Sequence, residues 1–269
     1  MKLENLTTDR RKNRQCINWV KLAETDRIPY GENIAYQNPR VTFDGLNWWI
    51  SVGVKIEPST STPQNNGIGI DLGVKNLAIC SDGNTYKNIN KSQKIKKLEK
   101  NKHRLQRSIS RKYNKNKKGG RYCKTSNIVK SEKKLLKIYH KLTDIRNDYL
   151  HKTTSEIVQR EPSFICLEDL NVKDLMKNKH LSKALQDQKL SEFKRQIKYK
   201  SKIANIQVVT ADKFYPSSKT CSRCGNIKKD LKLKNRVYKC DKCGLVIDRD
   251  FQAALNLKNY GEKFLEEAF

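Results

Sequence analysis

Long apolar runs are absent from this 269-residue chain: no stretch approaches the about 18 apolar residues that a membrane-spanning helix needs, so no membrane partner is expected. The opening MKLENLTTDRRKNRQ also lacks the apolar core of a secretory signal, which points to a cytoplasmic protein whose thiols stay reduced. Histidine is scarce. His103, His140, His151 and His180 make no general-base constellation and read as surface or packing residues. Acids are scarce too, with 28 Asp+Glu against 57 Lys+Arg and a formal net charge of +29. A compact chain so charged repels itself unless a polyanion neutralises it, and the expected partner is nucleic acid. The length suits one substantial domain with small appendages.

The positive charge is concentrated. Residues 91–137 hold 19 Lys or Arg and two acids, Glu99 and Glu132, while Ile95, Leu98, Leu105 and Ile109 keep a helix-compatible apolar stripe. A loop over 114–120 separates this segment from a second helical run bearing Leu135, Ile138, Leu142, Ile145 and Tyr149. Together they predict a helical hairpin. A helix that only solubilises alternates its signs, so the near-absence of acids favours a phosphate-tracking face. Its candidate contacts are Lys96, Lys97, Arg104, Arg107, Arg111 and Lys112.

Short apolar runs flank the hairpin. Residues 67–71 and 76–80 read as strands, the second entering an Asp82-Gly83 turn into a third strand over 85–89. Residues 163–168 and 206–210 add two more, with a helix carrying Leu190, Phe193 and Ile197 between them. An antiparallel meander followed by strands joined through helices predicts a mixed α/β sheet.

Four cysteines carry the sharpest signal. Cys221 and Cys224, then Cys240 and Cys243, form two Cys-x-x-Cys knuckles with 15 residues between them, a spacing that suits one tetrahedral Zn²⁺. Gly225 and Gly244 follow the knuckles where a positive φ is often needed. Two disulfides are the rival reading, disfavoured in a reducing compartment. Cys16, Cys80, Cys123 and Cys166 lack such spacing and read as small apolar packing residues.

Three carboxylates complete the set: Asp71 and Glu168 at strand ends, and Asp250 at the start of a helix. Phosphodiester hydrolysis uses divalent ions held by hard oxygen ligands, which suits Mg²⁺. Taken alone, Asp250 reads as a helix cap. Asp169 alternates to the other sheet face and Asp248 lies off the helical face of Asp250, so neither joins the set.

The segments GIDLGVKNLAICSDG (69–83), ICLEDLNVKDL (165–175), FYPSSKTCSRCG (214–225) and YKCDKCGLVIDRDFQAALNL (238–257) resemble the split nuclease motifs and zinc ribbon of the TnpB family. These insertion-sequence proteins are similar to the compact type V CRISPR effectors, and the likeness covers about residues 48–260. It implies an RNase H-like fold of the RuvC type. It also implies that Asp71, Glu168 and Asp250 bind two Mg²⁺ ions, and that DNA chosen by pairing with the element's guide RNA is cut. One departure is Gln252, where the family usually has Asn, a change expected to shift a hydrogen bond near the metal ligands.

A second departure is the short region before Asp71, which predicts a chain truncated at its N-terminus relative to the family. The expected organisation is a remnant of a wedge β-domain over 1–56 and a polar linker over 57–66. The nuclease core follows over 67–214 with the basic hairpin at about 91–160, then the zinc ribbon over 215–247 and the last nuclease motif over 248–269. A hairpin around Asp44-Gly45 is expected in the first part, with Trp48 and Trp49 as packing residues and base stacking on one of them as the alternative. Two other readings stay open: a nucleic-acid-binding remnant, and a transposition accessory protein that does not cut. Homodimer formation is left open as well.

Overall fold

Asp44 turns the chain between two antiparallel strands, β1 (Tyr36–Phe43) and β2 (Trp48–Val54), its Oδ1 accepting from the amides of Leu46 at 2.8 Å and Asn47 at 2.7 Å. The computed structural model describes residues 23, 24, 28, 34–55, 65–228, 230, 231 and 235–267. They belong to two units, residues 1–56 and 57–269. Cys16 and residues 57–64 of the expected linker lie outside the described residues.

The expectation that Trp48 and Trp49 are packing residues is corrected: they are 72% and 51% exposed. A two-stranded ribbon encloses no interior of its own. Trp48 rests on Phe43, ring centroids 4.8 Å apart, and the Trp49 indole N–H donates to the Asp44 carboxylate.

The second unit is built on a five-stranded mixed sheet. Strands β3 (Ile68–Leu72), β4 (Asn76–Cys80) and β5 (Thr85–Lys87) form the antiparallel meander. The third strand stops at Lys87 because Asn88 caps a short 3-10 turn, Ile89–Lys91. Helix α1 (Gln93–Lys115), a small hairpin of β6 (Lys117–Lys118) and β7 (Arg121–Tyr122), and helix α2 (Ser126–Gln159) follow. The region expected as a loop thus carries a tight turn at Gly119 and Gly120, and the second helix starts nine residues before Leu135. Strand β8 (Phe164–Glu168), helices α3 (Val172–Met176), α4 (Ser182–Gln188) and α5 (Leu190–Ile203), and strand β9 (Gln207–Ala211) complete the layer. The strand order is β5-β4-β3-β8-β9, with β3, β8 and β9 mutually parallel.

Two hydrophobic clusters divide the sheet by face. Ile68, Ile70, Ile165 and Leu167 pack with Leu150, Ile157, Leu190, Phe193 and Ile197 from α2 and α5. On the other face Phe164, Cys166, Val209 and Ala211 pack against Leu257. That residue belongs to the last helix, α6 (Arg249–Glu266), which follows a small antiparallel pair, β10 (Val237–Lys239) and β11 (Val246–Asp248). The result is a three-layer α/β arrangement with α6 behind the strand pair that bears the acids.

Glycine lets α6 lie so close. A Cβ on Gly69 would stand 2.1 Å from the Ala254 carbonyl oxygen and 2.3 Å from the Lys258 nitrogen, a backbone overlap with no side chain to give way. Gly261 similarly lies under the ring of Phe164. Gly69→Ala is therefore expected to lift α6 from β3 and cost about 2–3 kcal/mol. By thermal melting this should appear as a drop of roughly 5–10 °C in Tm; an unchanged Tm would show that the helix does not press on β3.

Candidate functional site

Strand register brings the first two acids together. Ile70 pairs with Leu167 in the parallel β3–β8 ladder, so Asp71 and Glu168 are the next residues on adjacent strands, at the C-terminal ends of both. Both point to the α6 face, because side chains alternate and the flanking Ile70 and Leu167 face α5. Asp169 takes the opposite face, where Lys194 of α5 lies 3.4 Å from its Oδ1.

Helix α6 supplies the third acid. It crosses the sheet antiparallel to β3, with Gly261 over Phe164 and Ala254 over Gly69. Asp250 lies one turn before Ala254, about 6 Å along the axis, and Asp71 lies two residues beyond Gly69, about 6.6 Å along the strand. The first turn of α6 thus reaches the Asp71 end of the sheet. Asp250 is not the helix cap: Asp248 fills that place, its Oδ1 accepting from the amides of Asp250 and Phe251 at 3.0 Å each. Capping therefore leaves the Asp250 carboxylate for other partners, here Arg249 at 3.2 Å and Arg236 at 3.6 Å.

Electrostatics record the crowding. Burial first, then the charges of Glu168 and Asp250, hold the Asp71 carboxyl well above the usual carboxylate range. Burial raises Glu168 as well. A set of hard oxygen donors whose charges oppose one another is a fit for divalent cations, which relieve that repulsion. The carboxylates do not form so tight a group as the cysteines described next.

Cys221, Cys224, Cys240 and Cys243 converge from two knuckles of the same geometry. In each, the amide of the first cysteine donates to the carbonyl five residues on, Cys221 to Asn226 at 2.9 Å and Cys240 to Leu245 at 2.8 Å. Gly225 and Gly244 close the turns at φ of +71° and +72°, a region that L side chains enter only under strain. The four sulfurs lie within 4.8 Å of one another, with Cys221–Cys243 at 3.5 Å and Cys224–Cys240 at 3.6 Å. Sulfurs about 2.3 Å from a tetrahedral Zn²⁺ are about 3.8 Å apart, so the thiols fit that ion. The Cys243 amide, donating to Cys240 Sγ, pulls the Cys240 thiol below its usual value. Among the described residues these cysteines are the one group of three or more His, Cys, Asp or Glu whose ligand atoms come so close together, and Asp71, Glu168 and Asp250 do not reach that closeness.

The Gln252 amide is fully buried and its bonds go to the residues flanking Cys221, Nε2 donating to the Thr220 carbonyl and Oε1 accepting from Ser222 Oγ at 2.9 Å. Asn256, one turn on, donates to the Ser217 and Thr220 carbonyls at 2.6 and 2.7 Å. The longer amide therefore ties α6 to the first knuckle.

In the hairpin the two acids, Glu99 on α1 and Glu132 on α2, are spent internally. Glu99 pairs with Lys102 and Arg146, and Glu132 with Lys124 and the Tyr113 hydroxyl. Lys96, Lys97, Arg104, Arg107 and Arg111 are exposed and make no ion pair among the described residues. Arg104, Arg107 and Arg111 line a shallow groove of about 540 Å³. Lys112 differs: it is half-buried and donates to Ser131 Oγ at 2.6 Å.

Among the described residues no helix is long and apolar enough to cross a membrane. Comparison with known proteins gives two family matches, "Probable transposase" over residues 51–179 and "Cas12f1-like, TNB domain" over 191–257. A Streptomyces pristinaespiralis protein named "Putative RNA-guided DNA endonuclease" is 32% identical over 211 residues, covering 78% of this chain and 49% of that protein. The similarly named InsQ of Escherichia coli (strain K12) is 30% identical over 235 residues, covering 81% and 55%. The chain spans about half the length of these curated relatives. The fold is that of a chain in the cryo-EM structure of a Cas12f1-sgRNA-target DNA complex, with a TM-score of 0.50, 19% identity, and coverage of 81% of this chain and 55% of that one. Motif order, the four-cysteine ribbon and these matches agree: the chain belongs to the TnpB family.

Proposed function

We propose that this chain acts as an RNA-guided DNA endonuclease of the TnpB type, with an RNase H-like core of the RuvC type. The observation that carries the reading is the meeting of Asp71, Glu168 and Asp250, from three separate elements, at one end of the sheet. Three acids on separate elements have no shared packing reason to crowd together at a cost in repulsion. In this reading they are the ligands of catalytic Mg²⁺. Bound there, divalent ions would supply Lewis-acid activation of water and neutralise charge on the leaving oxygen. The chain's own part is to hold the carboxylates on two rigid strands and a capped helix, which fixes where a phosphodiester must lie. Zn²⁺ in the four-cysteine site is structural, since four thiolates leave no open position.

DNA and a guide RNA are the proposed partners, as the names of the relatives and the sgRNA-target DNA complex of the similar fold suggest. The reading predicts that protein, the element's transcript and a matched target yield cut DNA in Mg²⁺; uncut target with bound guide would favour a binding protein without cleavage.

The α1 face is proposed to track a phosphate backbone. Changing Lys96, Lys97, Arg104, Arg107 and Arg111 to Gln should weaken binding alike across sequences, and each lost contact should flatten the salt dependence by about 0.7–0.9 in slope. A binding titration between low and moderate salt checks this. An unchanged slope would return the face to a solvated surface.

A further inference from the structure

The zinc ribbon and the nuclease acids meet on the first turn of α6, and the bonds between them suggest more than packing. Gln252 stands two residues after Asp250, about 200° around the helix. One side of the turn therefore offers the carboxylate to β3, and the other offers the amide to the ribbon. Both ends of that amide are used by residues next to or within the first knuckle, the Thr220 carbonyl before Cys221 and the Ser222 hydroxyl inside it. Asn256 doubles the hold on Thr220. The second knuckle grips the same turn from the other side. Lys239, which precedes Cys240, pairs with Val246, and Val237 pairs with Asp248, the cap of α6. The Arg236 carbonyl accepts from the Arg249 amide at 2.8 Å, and its guanidinium lies 3.6 Å from Asp250.

We infer that Gln252 is a positioning residue, through which the filled four-cysteine site holds the Asp250 turn in place and so raises divalent-ion affinity at Asp71, Glu168 and Asp250. The inference rests on the proposal that these acids bind divalent ions. Its physical basis is that two knuckles have little else to hold them. The buried core of the ribbon is Cys221, Tyr238 and Cys240, so without the ion the anchors of the turn loosen together. Linkage requires the reverse effect of equal size: an ion at the acids must tighten zinc binding at the cysteines by the same factor.

The test uses the full chain and Mn²⁺ as the probe, its binding followed by electron paramagnetic resonance, with zinc release followed by a chromophoric chelator. Gln252→Leu keeps the volume and removes both bonds. It should keep one zinc per chain and wild-type circular dichroism, yet weaken Mn²⁺ binding roughly tenfold. Gln252→Asn, which retains an amide, should recover part of the loss. Stripping zinc from the wild type should weaken Mn²⁺ by a similar factor, and adding Gln252→Leu to the stripped protein should cost nothing more. Saturating Mn²⁺ should raise zinc affinity, read by equilibrium competition with the chelator, in the wild type and not in Gln252→Leu. If Gln252→Leu does not fold, Ser222→Ala, which removes one bond, should give a smaller loss of the same kind. Wild-type Mn²⁺ affinity in a zinc-loaded Gln252→Leu or Ser222→Ala protein overturns the coupling. Mn²⁺ binding that ignores Asp71→Ala instead overturns the acid assignment itself, so the two failures are distinct.

Discussion

Asp71→Ala, Glu168→Ala and Asp250→Ala should each reduce Mg²⁺-dependent cleavage by on the order of 10³-fold while leaving nucleic-acid affinity nearly unchanged. In the proposed reading each acid would hold ions that stabilise charge developing in the transition state, whereas affinity would come from phosphate contacts elsewhere, such as α1. Single-turnover cleavage and equilibrium binding, measured on the same preparations, separate the two. Loss of fold is excluded by Asp71→Asn. The folded-state pKa of Asp71 is raised, so its ionisation favours the unfolded chain, and the penalty grows as pH rises above the ordinary Asp value. In Mg²⁺-free buffer Asp71→Asn should therefore melt above the wild type at pH 7, with the gain shrinking as pH falls and gone below the ordinary Asp value of about 3.9. Asp248→Ala is the contrasting variant. It removes the cap of α6 and should cost about 1 kcal/mol of stability, with much less effect on cleavage below its melting temperature. Cleavage surviving Asp71→Ala would contradict the assignment.

Removing zinc, or Cys240→Ser, should unfold the ribbon while the strands around Asp71 stay intact. The ribbon spans too few buried apolar groups to fold alone: Leu231, Leu245 and Ile247 only partly cover Tyr238 and the thiols. Structural zinc contributes about 10–16 kcal/mol of apparent binding energy in small fingers, far more than such a core supplies. Hydrogen exchange should show amides over 219–248 losing protection together, including the Cys221 and Cys240 amides that close the knuckles. The β3 and β8 amides should stay protected, because their packing lies on α2, α5 and α6. Protection unchanged in protein shown to be free of zinc would contradict this.

Much of the site was legible in the chain because its signals are local. Cys-x-x-Cys spacing, a buried apolar run ending in an acid and an Asp-Gly turn each need only a few neighbouring residues, and the meander, β8, β9 and both hairpin helices came out in order. The missed features depend on what lies opposite. Gly69 carries no side chain to give a pattern, yet its bareness sets how near α6 and Asp250 come to Asp71. Gln252 follows Asp250 closely in sequence, but about 200° of helix turns it toward Thr220 and Ser222, a partnership that spacing alone does not show. Capping of α6 falls to Asp248 for the same reason, since only a residue before the first turn can reach its free amides. Trp48 and Trp49 read as core from their size, and only a two-stranded ribbon leaves them exposed. Lys112 shares the composition of its neighbours but reaches back to α2.

The central claim, a divalent-ion centre at Asp71, Glu168 and Asp250 beside a zinc ribbon, is tested most directly by anomalous scattering from crystals grown with Mn²⁺. Data at the two absorption edges should show zinc among Cys221, Cys224, Cys240 and Cys243, and manganese between the three carboxylates. Zinc among the cysteines with no manganese peak at the acids, under Mn²⁺ concentrations that saturate binding in solution, would contradict the claim.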